Sequence, residues 1–385
     1  MTYFLVVGEA SADEHAAGLI VALRAQDPEA CFVFVGGEKM AVAAGVPPMV
    51  HYRHLAVMGF VDVFLNYKKI KEIANRVQRA MQQSHPDVVI PVDSGGFNCR
   101  YTLPFARSLG IPVVYYIPPK VWAWRRYRTK QLRRMIDMAL VILPFEEIFL
   151  RSRRVNAFYV GNPSVSSVRE NLAMHSSKEL FCGRVPTVAL LPGSRLSELQ
   201  NNLPTMLQAL ESFPNAVRGV IAGAPGLSME DYTSFFSDQK NVSVEFGATH
   251  SILAQADAAL VTSGTATLET ALIGTPQVVC YKIRGGWCAR MIFKKFFPIR
   301  YFSLVNLILD KEVVPELLAD EMKPHKLCSL LVDLLNPTSQ AYKAMKKGYE
   351  ELRCVLAPQG DATPKAAHKA AQQILSLLAL RPKDL

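Results

Sequence analysis

Two clusters in the chain carry residue types that can do chemistry, and they differ in sign. The first is acidic. Glu9 and Asp13 lie in Gly8-Glu9-Ala10-Ser11-Ala12-Asp13-Glu14-His15, directly after the apolar run 3–7, and Asp93 ends the run 88–92 before Ser94-Gly95-Gly96-Phe97-Asn98. A carboxylate at the end of a buried strand can take a proton from a hydroxyl if burial raises its pKa. The plainer role for Asp93 is a helix N-cap. A strand, a glycine turn and a helix would ordinarily suggest a phosphate loop, but phosphate wants N–H groups and positive charge there. The acidic turn therefore reads as a wall for sugar hydroxyls. Ser11 and Glu14 also fit a capping box that starts the helix.

The second cluster suits an anion. The run 187–191 ends in Pro192-Gly193-Ser194-Arg195, and the run 258–262 ends in Ser263-Gly264-Thr265-Ala266-Thr267-Leu268-Glu269. Gly193 permits a tight turn, the following helix starts present free N–H groups, and Arg195 adds a cationic fork suited to a diphosphate. Glu269, one turn into its helix, can hold a ribose diol. Turns with ordinary Ser/Thr capping are the bland alternative. Neither segment is a Walker loop, so Mg²⁺-dependent phosphoryl transfer is not indicated.

These clusters need rigid elements behind them. Continuous apolar runs at 3–7, 32–35, 88–92, 113–117, 139–143 and 157–160 alternate with helical spacing, and the pattern resumes at 187–191, 217–222, 242–246, 258–262 and 277–281. Such runs separated by helices predict parallel sheets buried on both faces. The expected class is α/β: two Rossmann-like, doubly wound domains facing a central cleft. The expected division is residues 1–165, residues 166–360 and a C-terminal helix within 361–385 that packs back on the first domain. With 385 residues, there is length for two full cores. Half the residues are hydrophobic and 20% are charged, which excludes a disordered chain.

The net charge of +10 favours an anionic partner. No apolar run reaches the ~18–20 residues of a membrane span, and nothing at Met1 resembles a secretion signal. The seven cysteines show no CxxC spacing and read as reduced core thiols. His15, His51, His54 and His250 have no metal-ligand spacing. Between residues 284 and 300, Arg284, Trp287, Arg290, Phe293, Lys294, Lys295 and Phe296 interleave basic and apolar side chains, as on an anionic bilayer surface. A second basic cluster, 125–134, suits phosphate, and Trp122 and Trp124 beside it can be core or a platform for a sugar or acyl chain.

Taken together, GEASADEH, MGFVDV (58–63), VDSGGFN (92–98), PPKVWAWR (118–125), LPFE (143–146), LLPGSRLSE (190–198), SGTATLE (263–269) and SLVNLILDKEVVPELL (303–318) resemble the lipid-A-disaccharide synthases, in that family's order. The resemblance implies a GT-B, metal-independent and cofactor-free inverting hexosyltransferase of lipid A biosynthesis in Gram-negative bacteria. It implies that UDP-2,3-diacylglucosamine is joined to 2,3-diacylglucosamine 1-phosphate (lipid X), giving a β-1,6-linked disaccharide 1-phosphate and UDP. It further implies a cytoplasmic protein held peripherally at the inner membrane, with no nucleic-acid partner, and leaves a homodimer open.

By residue, the resemblance implies Asp93, Glu9 and Arg195 for catalysis. Gly193, Ser194, Arg195, Ser263, Gly264, Thr265, Glu269, Asn306 and Glu316 are implied for UDP, and Ser11, Met58, Asn98, Trp122, Trp124 and Arg125 for the acceptor side. The chain departs from the family pattern at Ala12, Gly96 and Ala319, and Gly96 leaves Asp93 as the only carboxylate of its loop. Alternatives on the same fold are a MurG-like transferase, a UDP-sugar 2-epimerase, or a non-catalytic, membrane-associated UDP-sugar binding protein.

Overall fold

In a computed structural model of the protein, the structure describes residues 1–56, 67–124, 126–173, 185–213, 217–235, 241–282, 300–363 and 365–380. The chain divides into two units, Met1–Pro163 with Pro364–Leu385, and Ser164–Thr363.

The first unit is built on β1 (Thr2–Val6), β2 (Cys31–Gly36), β3 (Val50–His51), β4 (Val88–Pro91), β5 (Val114–Tyr116), β6 (Met138–Val141) and β7 (Ala157–Tyr159). Hydrogen bonding orders them β3-β2-β1-β4 and β5-β6-β7. Parallel bridges Val89–Val113 and Val92–Tyr116 join the two sets into one sheet. Alternating side chains enter opposite cores: Tyr3, Leu5 and Val7 face one, Phe4 and Val6 the other. A strand buried on both faces cannot alternate polar and apolar residues, which is why these strands read as unbroken apolar runs. The helix Ala366–Ala379 packs on Ala10–Gln26, adding Ala370, Ala371 and Ile374 to the core of Ala16, Leu19 and Ile20.

The second unit holds β8 (Thr187–Leu191), β9 (Arg218–Gly223), β10 (Val242–Phe246), β11 (Ala258–Thr262), β12 (Gln277–Tyr281) and β13 (Glu316–Leu318), ordered β10-β9-β8-β11-β12-β13. All paired strands of both units are parallel among the described residues. Each sheet therefore winds outward in one direction from its first strand and then reverses, at β1/β4 in one unit and β8/β11 in the other. In doubly wound sheets the crevice at that reversal, beyond the strand C-termini, is where ligands bind.

Two small expectations change. Cys31 and Cys354 are exposed, so the thiols are not all core residues. Glu9, not Ser11, is the N-cap residue of the helix Ala10–Gln26 and no side chain caps it; Ser11 is exposed and Glu14 pairs instead with Lys39 at 2.9 Å. No described helix is long and apolar enough to cross a membrane.

Candidate active site

At the β1/β4 reversal the chain turns sharply after both strands. Gly8 sits where a Cβ would lie 2.6 Å from Ser94 Oγ, so only glycine lets the two turns approach. Asp93, Ser94 and Ile117 all adopt left-handed backbone conformations, with φ of 48°, 47° and 55°. Outside glycine such conformations cost of the order of 1–3 kcal/mol each and persist only where surrounding structure imposes them. Here the imposition is visible. The Asp93 carbonyl accepts from Tyr115 Oη (2.7 Å) and Asn98 Nδ2 (3.1 Å), and its N–H donates to the Tyr116 carbonyl (3.2 Å). A π-helical turn, Asn98–Thr102, follows directly, a device frequent at functional sites.

The reward for this strain is a carboxylate pair. The Asp93 and Glu9 carboxyl groups meet here closely enough to act on each other. Burial first, and the Glu9 charge and hydrogen bond next, push the Asp93 carboxyl up to about 7, against the pull of Lys120. A carboxyl poised there is suited to exchanging a proton with a hydroxyl near neutrality.

A second buried acid lies nearby in charge terms. Glu146, 5% exposed, receives Trp122 Nε1 at 2.8 Å and the Leu143 N–H at 3.2 Å. Burial raises it to about 7, with the Trp122 hydrogen bond and Lys120 opposing. Lys120 thus acts electrostatically on both Asp93 and Glu146. Neither Lys120 nor Glu146 was singled out from the sequence, although both follow strand ends, which was the usable signal.

Three acceptor-side expectations are revised by burial. Asn98 is fully buried; it donates to the Val6 and Asp93 carbonyls and accepts from Thr102 Oγ1 at 2.9 Å, so it builds the turn. Trp122 is core, edge-on to Phe145 and bonded to Glu146. Asp13 is 3% exposed and accepts from the Gly37 and Lys39 N–H groups at 2.6 and 3.1 Å, capping the next helix rather than lining a wall. Trp124 is half-buried. Met58, Arg125 and the seven membrane-facing candidates Arg284, Trp287, Arg290, Phe293, Lys294, Lys295 and Phe296 lie outside the described residues.

At the β8/β11 reversal the chemistry inverts. Gly193 has φ of 122°, a conformation that suits glycine, and a Cβ there would meet Glu198 Cβ at 2.5 Å. The helix Leu196–Glu211 opens immediately after Arg195. Glu198 occupies this anion-ready turn: it accepts the Ser194 N–H at 3.0 Å and Arg195 Nη1 at 3.3 Å. The Arg195 side chain is 73% exposed. Tyr281, at the end of β12, belongs to the same group: burial and then Glu198 raise its phenol, while Arg195 opposes.

After β11, the strand paired beside β8, come Ser263, Gly264 and Thr265, where the helix Thr265–Ile273 begins. Ser263 Oγ donates to the Phe302 carbonyl at 3.0 Å, and Thr267 Oγ1 to Gly264 at 2.8 Å. Glu269 is half-buried and held by His250 Nε2 at 3.2 Å and Ser164 Oγ at 3.4 Å.

Three more residues of this unit build the site through their hydrogen bonds. Asn306 is fully buried, with both amide hydrogens on Val314 O and Glu316 Oε1 and its oxygen taking the Val313 and Val314 N–H groups. All its hydrogen-bonding positions are filled, which corrects the expectation that it contacts the nucleotide. Glu316 receives the Phe302 and Ser303 N–H groups and Ser303 Oγ as well, locking the 302–316 loop. Asn202, 1% exposed, ties three strand ends together through Pro192 O, Thr262 Oγ1 and the Lys282 N–H. Mid-helix, it offered no sequence signal.

The profile of the family described as lipid-A-disaccharide synthetase matches residues 3–370. A lipid-A-disaccharide synthase from Myxococcus xanthus is 38% identical, covering 97% of each chain. One from Syntrophus aciditrophicus is 36% identical over the same shares. Among solved structures, the Neisseria meningitidis UDP-GlcNAc 2-epimerase bound to UDP-GlcNAc aligns with a TM-score of 0.64 at 12% identity, covering 99% of this chain and all of that one. Acinetobacter baumannii MurG aligns with a TM-score of 0.56 at 16% identity, covering 97% and 99%. At such identities these likenesses establish the fold, GT-B, and no more.

Proposed function

This chain belongs to the lipid-A-disaccharide synthetase family, and on that premise we propose how its two strand-order reversals divide the work of glycosyl transfer. The enzyme is a hexosyltransferase of lipid A disaccharide synthesis that uses a UDP-sugar. Its reaction joins UDP-2,3-diacylglucosamine to 2,3-diacylglucosamine 1-phosphate and releases UDP.

In the proposed mechanism Asp93, as carboxylate, removes the proton of the acceptor 6-hydroxyl. The oxygen attacks the donor anomeric carbon in line. The bond to the diphosphate oxygen breaks with its electron pair leaving on UDP, so the anomeric centre inverts to β. The proton stays on Asp93, and Glu9 shares its hydrogen bond. Negative charge grows on the departing diphosphate. Arg195 and the helix N-terminus at Gly264–Thr265 are the donors suited to stabilise it, which is where preorganised charge contributes most. Glu198 gives up Ser194 and Arg195 when the diphosphate arrives. Contact with an anionic inner-membrane surface is assigned, from sequence, to the basic and apolar residues 284–296.

The observation that carries this reading is the buried Asp93 carboxyl, set beside Glu9 on a strained turn at the reversal of the first sheet. Incubation of the purified protein with both diacylglucosamine substrates, followed by mass detection, should give the disaccharide 1-phosphate and one UDP per product. UDP-sugar conversion that proceeds equally without the acceptor would instead indicate an epimerase or hydrolase.

A further inference from the structure

Part of the basic cluster 125–134 helps to form a pocket of about 240 Å³ in the first unit, lined by Thr129, Lys130, Arg133, Ser152, Arg153 and Arg154. Four of its six lining residues are cations. Lys130 and Arg133 are one turn apart on the helix Arg128–Met135, and Ser152–Arg154 form the turn that ends the helix Pro144–Arg151. Among the described residues, none of the four cations is paired with a carboxylate; the nearby acids are taken, Glu147 by Arg151 at 2.9 Å and Asp137 by Arg107 at 3.7 Å. Like charges gathered without a counter-charge repel, so an anion bound there relieves a cost the free protein carries.

The polar groups that are not charged are already committed. Thr129 Oγ1 donates to Arg126 O at 2.8 Å and Ser152 Oγ to Phe149 O at 2.8 Å. The backbone N–H groups of Thr129, Lys130, Ser152, Arg153 and Arg154 all have carbonyl partners. Arg153 Nη1 donates to Phe149 O at 3.1 Å and Ser152 Oγ at 2.9 Å, and its guanidinium lies over the Phe149 ring. The side-chain donors left for a ligand are chiefly those of Lys130, Arg133 and Arg154, and all are cationic, which selects for charge over a neutral sugar. The volume is below the ~300–1,000 Å³ of sites for drug-sized molecules, so it suits a single anionic group.

We propose that this pocket binds a phosphate group, separately from the transfer site. The phosphate has two possible sources, free phosphate or a phospholipid headgroup. Tyr127 and Ile148, 67% and 74% exposed, precede Lys130 and Ser152 by one turn and would meet acyl chains if the headgroup is the source.

The test uses the full chain and two probes, inorganic phosphate by calorimetry and flotation with phosphatidylglycerol or phosphatidylcholine vesicles. It compares wild type with Arg133→Ala/Arg154→Ala and with Lys68→Ala/Lys71→Ala, a pair of equal charge on another helix. The pocket pair should weaken phosphate binding by at least about tenfold, as expected for lost charge-assisted contacts, and the control pair should not. If flotation on phosphatidylglycerol also falls only in the pocket variant, the source is a headgroup. If flotation is unchanged, the source is free phosphate. Failure of both probes to distinguish the pocket variant from wild type or from the control pair overturns the proposal. Circular dichroism confirms that the variants fold. Binding is read without turnover, so a negative result leaves the transferase reading intact.

Discussion

At the end of β1 and β4, where the first sheet reverses its winding, the chain sets Glu9 against Asp93. At the end of β8 and β11, the same position in the second sheet, it sets Gly193, Ser194 and Arg195 after one strand and Ser263, Gly264 and Thr265 after its neighbour. The scaffolds are alike in strand order and in using sharp turns into helices. The occupants are opposite in charge: two carboxylates in one, an arginine and free helix starts in the other. The topology decides where chemistry happens, and a few turn residues decide which chemistry it is. The acidic reversal keeps its strain in non-glycine residues, Asp93, Ser94 and Ile117, whereas the basic one relies on Gly193. A base must be held rigidly in a costly environment; a phosphate anchor needs mainly backbone that can come close.

This contrast can be broken by substitution, beginning with the largest effect. Asp93→Asn should lower kcat by ~10²–10⁴, the usual contribution of a positioned base; near-normal turnover would remove Asp93 from the mechanism. The same change should raise thermal stability at pH 8. Because the folded carboxyl titrates at about 7, well above an unfolded aspartate near ~4, the wild type loses stability as pH rises through that window. The asparagine variant has no charge to bury, so its advantage in melting temperature should vanish by about pH 4.

Arg195→Ala should cost ~10²–10³ in rate, as for other lost donors to developing charge, and weaken UDP binding. A loss confined to acceptor KM would mean that the basic turn does not hold the diphosphate. Glu198→Gln should act in the opposite direction, tightening UDP by roughly fivefold, about 1 kcal/mol of relieved repulsion at an exposed site. Weaker UDP binding in this variant would show that Glu198 positions Arg195 rather than competing for it.

The smallest effect, and the sharpest, is in the pH profile. Activity should rise through about pH 7 as Asp93 ionises. Glu9→Gln should move that limb to lower pH while keeping most of the plateau rate, since a neutral neighbour no longer opposes the Asp93 charge. A plateau loss as large as that of Asp93→Asn would transfer the role of base to Glu9.

Much of the scaffold was legible in the linear chain because strands buried on both faces are continuous apolar runs. Eleven runs matched strands, whereas β3 and β13 went unseen, being strands of two and three residues at sheet edges. The turns after β1, β4, β8 and β11 were legible for the same reason: Gly, Asp, Ser and Arg stand out against apolar flanks. The polar residues around them were harder to place. Asn98, Asn306 and Asp13 look like ligand contacts in a motif, yet Asp13 spends its hydrogen bonds on backbone, and Asn98 and Asn306 spend theirs on backbone and on one neighbouring side chain each. Trp122, which the sequence left open as core or platform, is a core donor to Glu146.

The amino-acid sequence by itself determined the α/β class, the two-sheet organisation and the turns at which chemistry can occur, because those follow from hydrophobic period and from glycine, proline and hydroxyl residues at strand ends. Only the tertiary structure decided which polar side chains face a ligand and what their charge state is. A residue's hydrogen-bond partners lie tens of residues away, as Asp13 and Gly37 do, and its pKa depends on what burial removes and which charges remain. Asp93 acquires its raised proton affinity first from burial and then from Glu9, 84 positions earlier in the chain, and no local pattern encodes that meeting.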